Sequence, residues 1–477
     1  MELPRIIQGG MGLGISNWRL AKAVASLGQL GVVSGTAIDL ILTRRLQAGD
    51  PGGHMRRALA AFPGRQMAKR VIDRYFVEGG KPEDAPFAAK PMVGDKQSAA
   101  LEELMVVANF AEVYLAKEGH DGMVGINFLH KIQTPMLPSL LGAMLAGVSV
   151  VLIGAGIPLE IPEILDRLAA WEPAEFSLHV TGASEGHAMR FDPKSMFPGE
   201  RPELVRPMFF PIVSSVTLAT MLVKKSKGEV NGLVVEDPTA GGHNAPPRGA
   251  LKLNEAGEPV YGPRDEVDPA AIQALGLPFW LAGSNGSPEK LQEALEAGAN
   301  GVQVGSLFAF CEESGLRDDL KREAIETAKR GESEVFRDPS ASPTGFPFQV
   351  LTAVGTLSEP EIYGKRRRMC DLGYLREAYE KEDGSVGWRC PAERPEDFVK
   401  KGGKEEETPG RKCLCNSLMA NLGLGQVRGG EVEQPLLTCG KDLSGIGKLL
   451  GPEGLSYSAA DVMAYLQSGV RETAQAL

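Results

Sequence analysis

Residues 281–308 read LAGSNGSPEKLQEALEAGANGVQVGSLF, and this stretch indicates the fold. A short apolar run leads into a glycine-containing loop, a helical segment follows, and a second β-branched run ends at Gly305 and Ser306. Ser287 is suited to cap the start of the helix, and Gly298 is suited to end it. Strand, loop, helix and strand in this order predict a βα repeat with parallel strands.

The same alternation extends outward from this unit over residues 1 to about 310. Eight runs are strand candidates: RIIQGG, LGVVSGT, MVGINFL, VSVVLIGAG, FFPIVSS, GLVVED, PFWLAGS and GVQVGS. Helical segments such as NWRLAKAVASLG and SVTLATMLVKKS lie between them. Eight strands with intervening helices predict an α/β fold, a (β/α)8 TIM barrel, with a doubly wound sheet as the alternative.

Insertions and an extension are expected beside the barrel. Residues 50–100 form a helical, basic insertion, residues 175–208 hold a possible hairpin, and residues 251–262 suggest two short strands around a Glu-Ala-Gly turn. The alternation stops after about residue 335. We therefore predict a barrel domain over 1–340 and a C-terminal extension over 341–477 that packs on it, with a separate small domain as the alternative.

The amino-acid composition and net charge exclude some classes of protein. The 477 residues are 43% hydrophobic and 23% charged, which excludes a wholly disordered chain. Lys and Arg total 51 against 61 Asp and Glu, a net charge of −10, so no nucleic-acid partner is expected. The basic run KRRR at 365–368 could contact nucleic acid or an acidic carrier protein, but we interpret it as solvated or as a neighbour of a bound phosphate.

One uncharged stretch, residues 132–159, is long enough to span a membrane. Its prolines and glycines divide it into a short helix, PSLLGAMLA, and a β-rich run, VSVVLIG, typical of a parallel strand buried on both faces. The N-terminus, MELPRIIQGG, does not resemble a secretory signal. We expect a cytoplasmic protein that does not associate with membranes, and its oligomeric state is not predicted.

The strongest chemical motif is GLVVEDPTAGGHNAPPRG at 232–249. Gly241 and Gly242 follow a predicted strand and allow a loop backbone to approach a ligand closely. His243 comes next, at the strand end where barrel enzymes place their chemistry, and is a candidate for proton transfer. The alternative is a histidine that only caps the turn.

Glycines after the first strand and after the last two strands of the predicted barrel suggest a ligand site. Gly283, Gly286, Gly305 and Ser306, after the last two strands, would form a phosphate cradle, with two ordinary βα turns as the alternative. The segment IIQGGMGLGIS does not fit a dinucleotide fingerprint. The segment is better interpreted as a first barrel strand that ends in a glycine loop, over which a flat ring could lie.

Taken together, the segments IIQGGMG, VGINFL, PIVSSVTLA, VVEDPTAGGH and LAGSNG with GANGVQVGS resemble the nitronate monooxygenase (2-nitropropane dioxygenase) family. That family includes flavin-dependent enoyl-acyl-carrier-protein reductases. The resemblance covers residues 4–310 and implies a flavin-dependent oxidoreductase whose barrel holds FMN and uses O2 or NAD(P)H. It implies that the cradle takes the FMN phosphate. The residues it places around the isoalloxazine or its covering loop are Gln8, Gly9, Gly10, Met11, Asn127, Glu236, Gly241 and Gly242.

Two departures from the family pattern bear on the reaction. Nitronate oxidisers of the family usually carry a histidine just after the strand that here reads VVLIGAG, where this chain has glycine at 154 and 156. The acidic residue that precedes the other histidine by four positions is Thr239 here, whereas His243 is retained. An NAD(P)H-dependent enoyl-thioester reductase, acting on a small-molecule or acyl-thioester substrate, is therefore the alternative, and a non-catalytic flavin- or metal-binding protein is a third.

Five of the six cysteines lie between residues 370 and 439. Cys370, Cys390, Cys413 and Cys415 are candidate ligands of zinc or of an iron–sulfur cluster, which four thiolates suit. Arg411 and Lys412 would lower the thiol pKa values next to them. The alternative is a set of reduced structural cysteines.

Overall fold

A computed structural model describes residues 3–451 and 454–469, so part of the predicted extension, residues 452–453 and 470–477, lies outside it. The strands, in chain order, are β1 (Ile6–Gln8), β2 (Leu30–Ser34), β3 (Val124–Leu129), β4 (Val150–Gly154), β5 (Ala174–Leu178), β6 (Val180–Thr181), β7 (His187–Phe191), β8 (Met208–Val213), β9 (Leu233–Glu236), β10 (Phe279–Ala282), β11 (Gly301–Val304), β12 (Val335–Asp338), β13 (Phe348–Leu351), β14 (Glu377–Glu380), β15 (Val386–Arg389), β16 (Val427–Arg428) and β17 (Glu431–Val432).

Helices separate the successive strands β1 to β4 and β8 to β11 in the chain, and further helices follow β11. They are α1 (Trp18–Ser26), α2 (Ile38–Gln47), α3 (His54–Ala61), α4 (Arg65–Tyr75), α5 (Ala99–Lys117), α6 (Met136–Leu145), α7 (Ile161–Ala169), α8 (Pro193–Met196), α9 (Val216–Lys225), α10 (Pro269–Gln273), α11 (Pro288–Glu296), α12 (Ser306–Ala309), α13 (Asp318–Lys329), α14 (Pro360–Lys365), α15 (Pro395–Lys400), α16 (Leu414–Ala420), α17 (Ile446–Leu449) and α18 (Ala459–Gln467). Short 3-10 turns occur at Pro51–Gly53 and Glu405–Glu407.

Eight parallel strands of the described chain close into a barrel in the order β1, β2, β3, β4, β8, β9, β10 and β11. The last strand pairs with the first, with Ile6 opposite Val302 and Gln8 opposite Val304. These are the eight strands predicted from the sequence, and the prediction of a (β/α)8 barrel is confirmed. The doubly wound alternative is wrong because an open sheet would leave β1 and β11 unpaired.

Alternate side chains of each barrel strand enter two different apolar layers. In β4, Val150 and Leu152 belong to a cluster inside the barrel, whereas Val151 and Ile153 pack against the surrounding helices. Trp280 fills the interior, where its ring stacks on another aromatic ring and its indole N–H donates to the Pro4 carbonyl at 2.7 Å. Burial on both faces explains why the strands are continuous apolar runs in the sequence.

The local signals of the sequence correspond to real helix ends. Ser287 accepts a hydrogen bond from the Lys290 amide at the start of α11, and Gly298 adopts a φ of 84° after its end. The uncharged stretch forms α6 and β4, both buried, as predicted. No helix of the described chain is long and apolar enough to cross a bilayer.

The insertions are helical and hairpin-like as expected, with one difference. Helices α3 and α4 lie in the first insertion, and β5 pairs with β7 as an antiparallel hairpin in the second. At 251–262 the two predicted strands reduce to a single bridge between Leu253 and Pro259 around a turn. The polar turn offers too few neighbouring strands to extend the pairing.

The segment after the barrel folds back onto it. Strand β13 pairs with β12, and β14 pairs with β6 of the second insertion. The Gly440 amide donates to Ser306 Oγ at 2.7 Å, close to the end of β11. The predicted boundary at residue 340 falls in the turn between β12 and β13 and stays a prediction.

The basic run 365–368 contributes to this packing instead of forming a solvated patch. Arg366 forms an ion pair with Glu433 at 2.5 Å, and both side chains are less than 10% exposed. Arg428 donates to the same carboxylate at 2.8 Å. The buried pair links α14 to the strand pair β16–β17, so the interpretation of Arg366 as a solvated charge is wrong.

We expect Glu433→Gln to lower the free energy of unfolding by about 3–5 kcal/mol. The substitution removes the carboxylate charge that pairs with Arg366 and leaves the charge of the Arg366 guanidinium buried. Denaturant unfolding followed by tryptophan fluorescence measures this. The control is Asp73→Asn, which breaks the exposed Lys69–Asp73 pair and should cost less than about 1 kcal/mol. Equal effects of the two substitutions would contradict the assignment of a stabilising role to the buried pair.

Candidate functional site

A large cavity opens at the carboxyl ends of the barrel strands. It contains about 1710 Å³ of space not occupied by atoms, its open mouth included. Residues at or just beyond the ends of β1, β3, β9, β10 and β11 line it together with residues of the C-terminal segment. Parallel strands in a closed barrel all end at one rim, so the predicted site residues of distant sequence segments meet there.

The loop after β1 forms one wall of the cavity. Gly9, Gly10 and Met11 line it, and Asn127 at β3 faces the same loop. A Cβ on Gly10 would lie 2.0 Å from Asn127 Oδ1, so only glycine fits there. Asn127 Nδ2 donates to the Gly10 carbonyl at 3.3 Å, whereas Oδ1 is buried without a partner.

Gln8 does not line the cavity, which corrects the expectation that it contacts a ring there. Its side chain is fully buried behind the loop. The amide nitrogen donates to Ser16 Oγ at 2.8 Å, and the amide oxygen accepts from the Val32 backbone at 3.0 Å. Gln8 therefore holds β1, β2 and the glycine loop together.

The residues of the predicted phosphate cradle lie at the ends of β10 and β11, beside the loop after β1. Gly283, Gly286, Gly305 and Ser306 all line the cavity. Gly283 has a φ of 97°, and a Cβ there would lie 2.8 Å from the Asp237 Cβ. At Gly305 a Cβ would meet only Met11 Sδ at 3.4 Å, an ordinary contact.

Gly241 and Gly242 are close to protein backbone as well as to the cavity that they line. A Cβ on Gly241 would lie 2.8 Å from the carbonyl carbon of Cys439. The Gly242 amide donates to Thr438 Oγ1 at 3.0 Å, and its φ is 76°. The close approach that the glycines permit is therefore to the C-terminal segment, which the sequence did not indicate.

His243 lines the cavity, and its imidazole is held by residues that follow the barrel. Nε2 lies 2.7 Å from Ser342 Oγ, and the ring makes an edge contact with Phe348 at 4.9 Å. Burial, helped by the positive charge of Lys131, lowers the pKa of His243 to about 4. The imidazole is therefore neutral at neutral pH.

Glu236, at the end of β9, also lines the cavity. Burial raises its pKa to about 8, and the neighbouring Asp237 carboxylate contributes. The carboxyl group is therefore largely protonated at neutral pH and is able to donate a hydrogen bond into the cavity.

Several lining residues were not singled out in the sequence. Gln303 in β11 presents a second buried amide oxygen without a partner, and a polar residue inside an otherwise apolar strand was the available signal. The C-terminal segment adds a largely apolar wall, for which the sequence carries no motif. That wall consists of Tyr374, Leu375, Leu414, Cys415 and Leu418.

His130, which the sequence did not suggest, lies beside Gly156, whereas the side chain nearest to a Cβ on Gly154 is that of Ile212 at 3.2 Å. A Cβ on Gly156 would lie 2.4 Å from Nδ1 of His130, which follows β3. Burial lowers the pKa of His130. Gly154 and Ala155 line the cavity, whereas His130 does not.

The four candidate metal ligands do not form a metal site in the structure. Within residues 3–451 and 454–469, no three Cys, His, Asp or Glu side chains are arranged to hold a metal ion. All four thiols are free. Burial raises the pKa of Cys413 and Cys415, while a hydrogen bond from Cys390 lowers that of Cys370.

The basic residues beside Cys413 do not activate it, contrary to the expectation from the sequence. Arg411 donates to the backbone carbonyls of Ser340 and Ser342, and Lys412 pairs with Asp338 at 3.3 Å. Zinc and iron–sulfur binding are thus not supported. Arg411 and Lys412 are close to Cys413 in the sequence, but both basic side chains bind other groups.

Comparison with known proteins was made on the sequence and on the fold. Residues 187–341 match the model of the family described as Nitronate monooxygenase. A curated relative, the "Probable nitronate monooxygenase" of Bacillus subtilis (strain 168), is 33% identical over 115 residues, which are 24% of this chain and 31% of that protein. The match therefore spans about a third of the curated relative's length.

Two solved structures cover most of the chain at low identity. FabK from Thermotoga maritima is 14% identical with a TM-score of 0.49, covering 98% of this chain and 93% of its own. Nitroalkane oxidase from Streptomyces ansochromogenes is 15% identical with a TM-score of 0.44, covering 98% and 95%.

The family match includes the last four barrel strands, the Gly-Gly-His loop and the cradle after β10 and β11. The resemblance in the sequence rests on these segments and on IIQGGMG and VGINFL, which lie outside the match. Over residues 187–341 the chain is similar to the nitronate monooxygenase family.

Proposed function

We propose that this protein is a flavin-dependent oxidoreductase that holds FMN in the cavity at the barrel rim. The observation that carries the proposal is a pair of buried amide oxygens without hydrogen-bond partners, Asn127 Oδ1 and Gln303 Oε1, which belong to two residues that line the cavity. A buried acceptor without a donor costs about 1–3 kcal/mol. A ligand whose ring carries an N–H group would remove this cost.

The surroundings of the two amides fit a flat ring. Gly9 and Gly10 leave the wall without side chains, and the space where a Cβ of Gly10 would stand is filled by Asn127. Met11 would border the ring. Glu236, largely protonated, would donate a hydrogen bond to a carbonyl or nitrogen of the ring.

The cradle suits the phosphate end of FMN. Gly283, Gly286 and Gly305 line the cavity without side chains, so their backbone amides could approach a phosphate, and Ser306 adds a hydroxyl group. The distance between the cradle and the amides is spanned by one continuous cavity. FMN would supply the capacity to accept and release hydride or single electrons, with NAD(P)H or O2 as redox partner.

His243 would transfer a proton to or from the substrate. It is the only histidine, lysine or arginine among the described residues that line the cavity. Its neutral imidazole has one nitrogen that donates a hydrogen bond and one that accepts, so it would serve as an acid or as a base in proton transfer.

An enoyl-thioester reductase is the second candidate function. The cavity offers the apolar wall of residues 374–418 beside a proton donor, and glycine stands at 154 and 156 where the nitronate oxidisers carry a histidine. Reduction of a conjugated double bond needs hydride on one carbon and a proton on the next. His243 is placed to supply that proton.

The first experiment is the visible spectrum of the purified protein, as isolated and after incubation with FMN. Bound flavin should be visible, and anaerobic NADH or NADPH should bleach it if a nicotinamide is the donor. Absence of flavin absorbance in both preparations would overturn the proposal. Bound flavin without turnover on enoyl thioesters, nitronates or O2 would support the non-catalytic alternative.

We expect Gly305→Asp to abolish FMN binding, because the added carboxylate would repel the phosphate in the cradle. The matched control is Gly305→Asn, which has nearly the same size and no charge and should retain much of the affinity. The backbone accepts a side chain there, since a Cβ meets only Met11 Sδ at 3.4 Å. Equilibrium titration with FMN, followed by fluorescence quenching, measures both variants. Equal affinity for Gly305→Asp and Gly305→Asn would place the phosphate elsewhere.

His243→Ala should keep the flavin but lower turnover by about 10²–10⁴-fold, the usual contribution of a general acid or base. Steady-state rates with crotonyl-CoA and NADPH, and with an alkyl nitronate and O2, measure the loss. The control is His179→Ala, which removes an exposed histidine outside the cavity. Loss of flavin, or unchanged rates on every substrate that the unsubstituted protein accepts, would show that His243 has another role.

Activity on simple alkyl nitronates should be weak. The resemblance implies that nitronate oxidisers carry a basic histidine at the end of β4, where this chain has Gly154 and Gly156. Rates with propyl-1-nitronate and O2, compared with crotonyl-CoA and NADPH at equal concentration, test this. Faster oxidation of the nitronate would eliminate the reductase as the preferred alternative.

A further inference from the structure

Two hydroxyl groups connect the imidazole of His243 to the protein surface. Nε2 lies 2.7 Å from Ser342 Oγ, and Ser342 Oγ lies 2.9 Å from Thr344 Oγ1. Ser342 is fully buried, whereas Thr344 is partly exposed. The three side chains thus form a continuous hydrogen-bonded row from the cavity to solvent.

Backbone contacts hold the central hydroxyl in place. The Thr344 amide donates to Ser342 Oγ at 3.2 Å, and Arg411 donates to the Ser342 carbonyl at 2.5 Å. After accepting from that amide, the hydroxyl retains one proton and one lone pair for His243 and Thr344. If it donates to one of them it accepts from the other, so a shift of protons reverses the row without moving any heavy atom.

The other ring nitrogen is available to the cavity. Nδ1 of His243 has no hydrogen-bond partner among the described residues, and the residue lines the cavity. The charged groups nearby are engaged elsewhere: Lys131 donates to the Thr344 carbonyl at 3.2 Å, and Arg411 binds backbone carbonyls. A substrate in the cavity would therefore exchange its proton with Nδ1, not with a neighbouring charge.

Burial keeps His243 neutral and makes it a poor acid, and the hydrogen-bonded hydroxyl groups of Ser342 and Thr344 compensate for this. Because the charged imidazolium is disfavoured in the buried site, His243 is neutral at neutral pH. A neutral imidazole is a poor acid on its own, since loss of its proton would leave an anion. It becomes an effective acid when its second nitrogen receives a proton in the same step.

We propose that Ser342 and Thr344 form a proton relay for His243. As Nδ1–H passes its proton to the substrate, the Ser342 hydroxyl gives its proton to Nε2 and takes one from Thr344, which takes one from water. One proton moves from water to the substrate and leaves hydroxide in the solvent, nothing is oxidised or reduced, and the ring is neutral before and after. The reverse sequence removes a proton. This inference rests on the proposed proton-transfer role of His243.

The relay residues act through His243, so they are positioning residues, and a purely structural role must be distinguished. Ser342→Ala removes the central hydroxyl, Ser342→Thr retains it, and Thr344→Val removes the outer hydroxyl at nearly constant shape. Ser340→Ala is the matched control, because that hydroxyl bonds Asp338 and lies outside the row. Thermal unfolding of each variant identifies any that do not fold.

The first measurement does not depend on a substrate. In protein labelled with 15N-histidine, the six histidines give separable ring signals, and His243→Ala assigns that of His243. We expect Ser342→Ala to change the tautomer ratio of His243 and to slow exchange of its Nε2 proton with water by about 10²-fold. Thr344→Val should slow this proton exchange and leave the position of the imidazole ring unchanged. Ser342→Thr, which keeps a hydroxyl group, should exchange as fast as the unsubstituted protein.

The second measurement uses the FMN-loaded protein with crotonyl-CoA and NADPH, compared in H2O and D2O across pH. Ser342→Ala and Thr344→Val should lower kcat more than they raise KM and should change the solvent isotope effect. Exchange and isotope effects equal to those of the unsubstituted protein would overturn the relay. If those values stay equal while His243→Ala is inactive, the relay fails and the proposed function stands. If His243→Ala is fully active, the proposed function itself fails.

Discussion

Closure of the parallel sheet by the pairing of β1 with β11 is the constraint on which the rest of the structure depends. Closure leaves no unpaired strand edge, and it buries every barrel strand between an interior cluster and a shell of helices. It also brings the carboxyl ends of eight strands to one rim. Gly10, Asn127, Glu236 and Gly305 come from distant parts of the chain, and they face one cavity because of it.

The segment after the barrel forms the part of the cavity wall that the barrel strands and their loops do not. It supplies an apolar wall, it approaches the loop glycines at Gly241, and its residues Ser342 and Phe348 hold the imidazole of His243. The buried Arg366–Glu433 pair anchors the segment internally. A barrel alone would leave His243 on a flexible glycine loop, whereas here the loop is held between two layers of protein.

Neutrality of the titratable groups is a consequence of this enclosure. Burial lowers the pKa of His243 and raises that of Glu236, so both are uncharged at neutral pH. The folded-state pKa of His243 lies below its ordinary value, so protonating it opposes folding at acidic pH. The cavity therefore holds two neutral groups, His243 and Glu236, that are able to donate a hydrogen bond.

The sequence by itself determined the eight strands, the barrel, the cradle glycines and the candidate histidine, because these depend on local patterns: apolar runs, helix caps and glycine turns. It misplaced Gln8, overestimated the hairpin at 251–262, and suggested a metal site that the four cysteines do not form. Only the tertiary structure decided the partners of His243, the unpaired amides of Asn127 and Gln303, and the burial of Arg366. Those features arise where segments hundreds of residues apart meet, and side-chain direction at such contacts is set by packing, which no local pattern records.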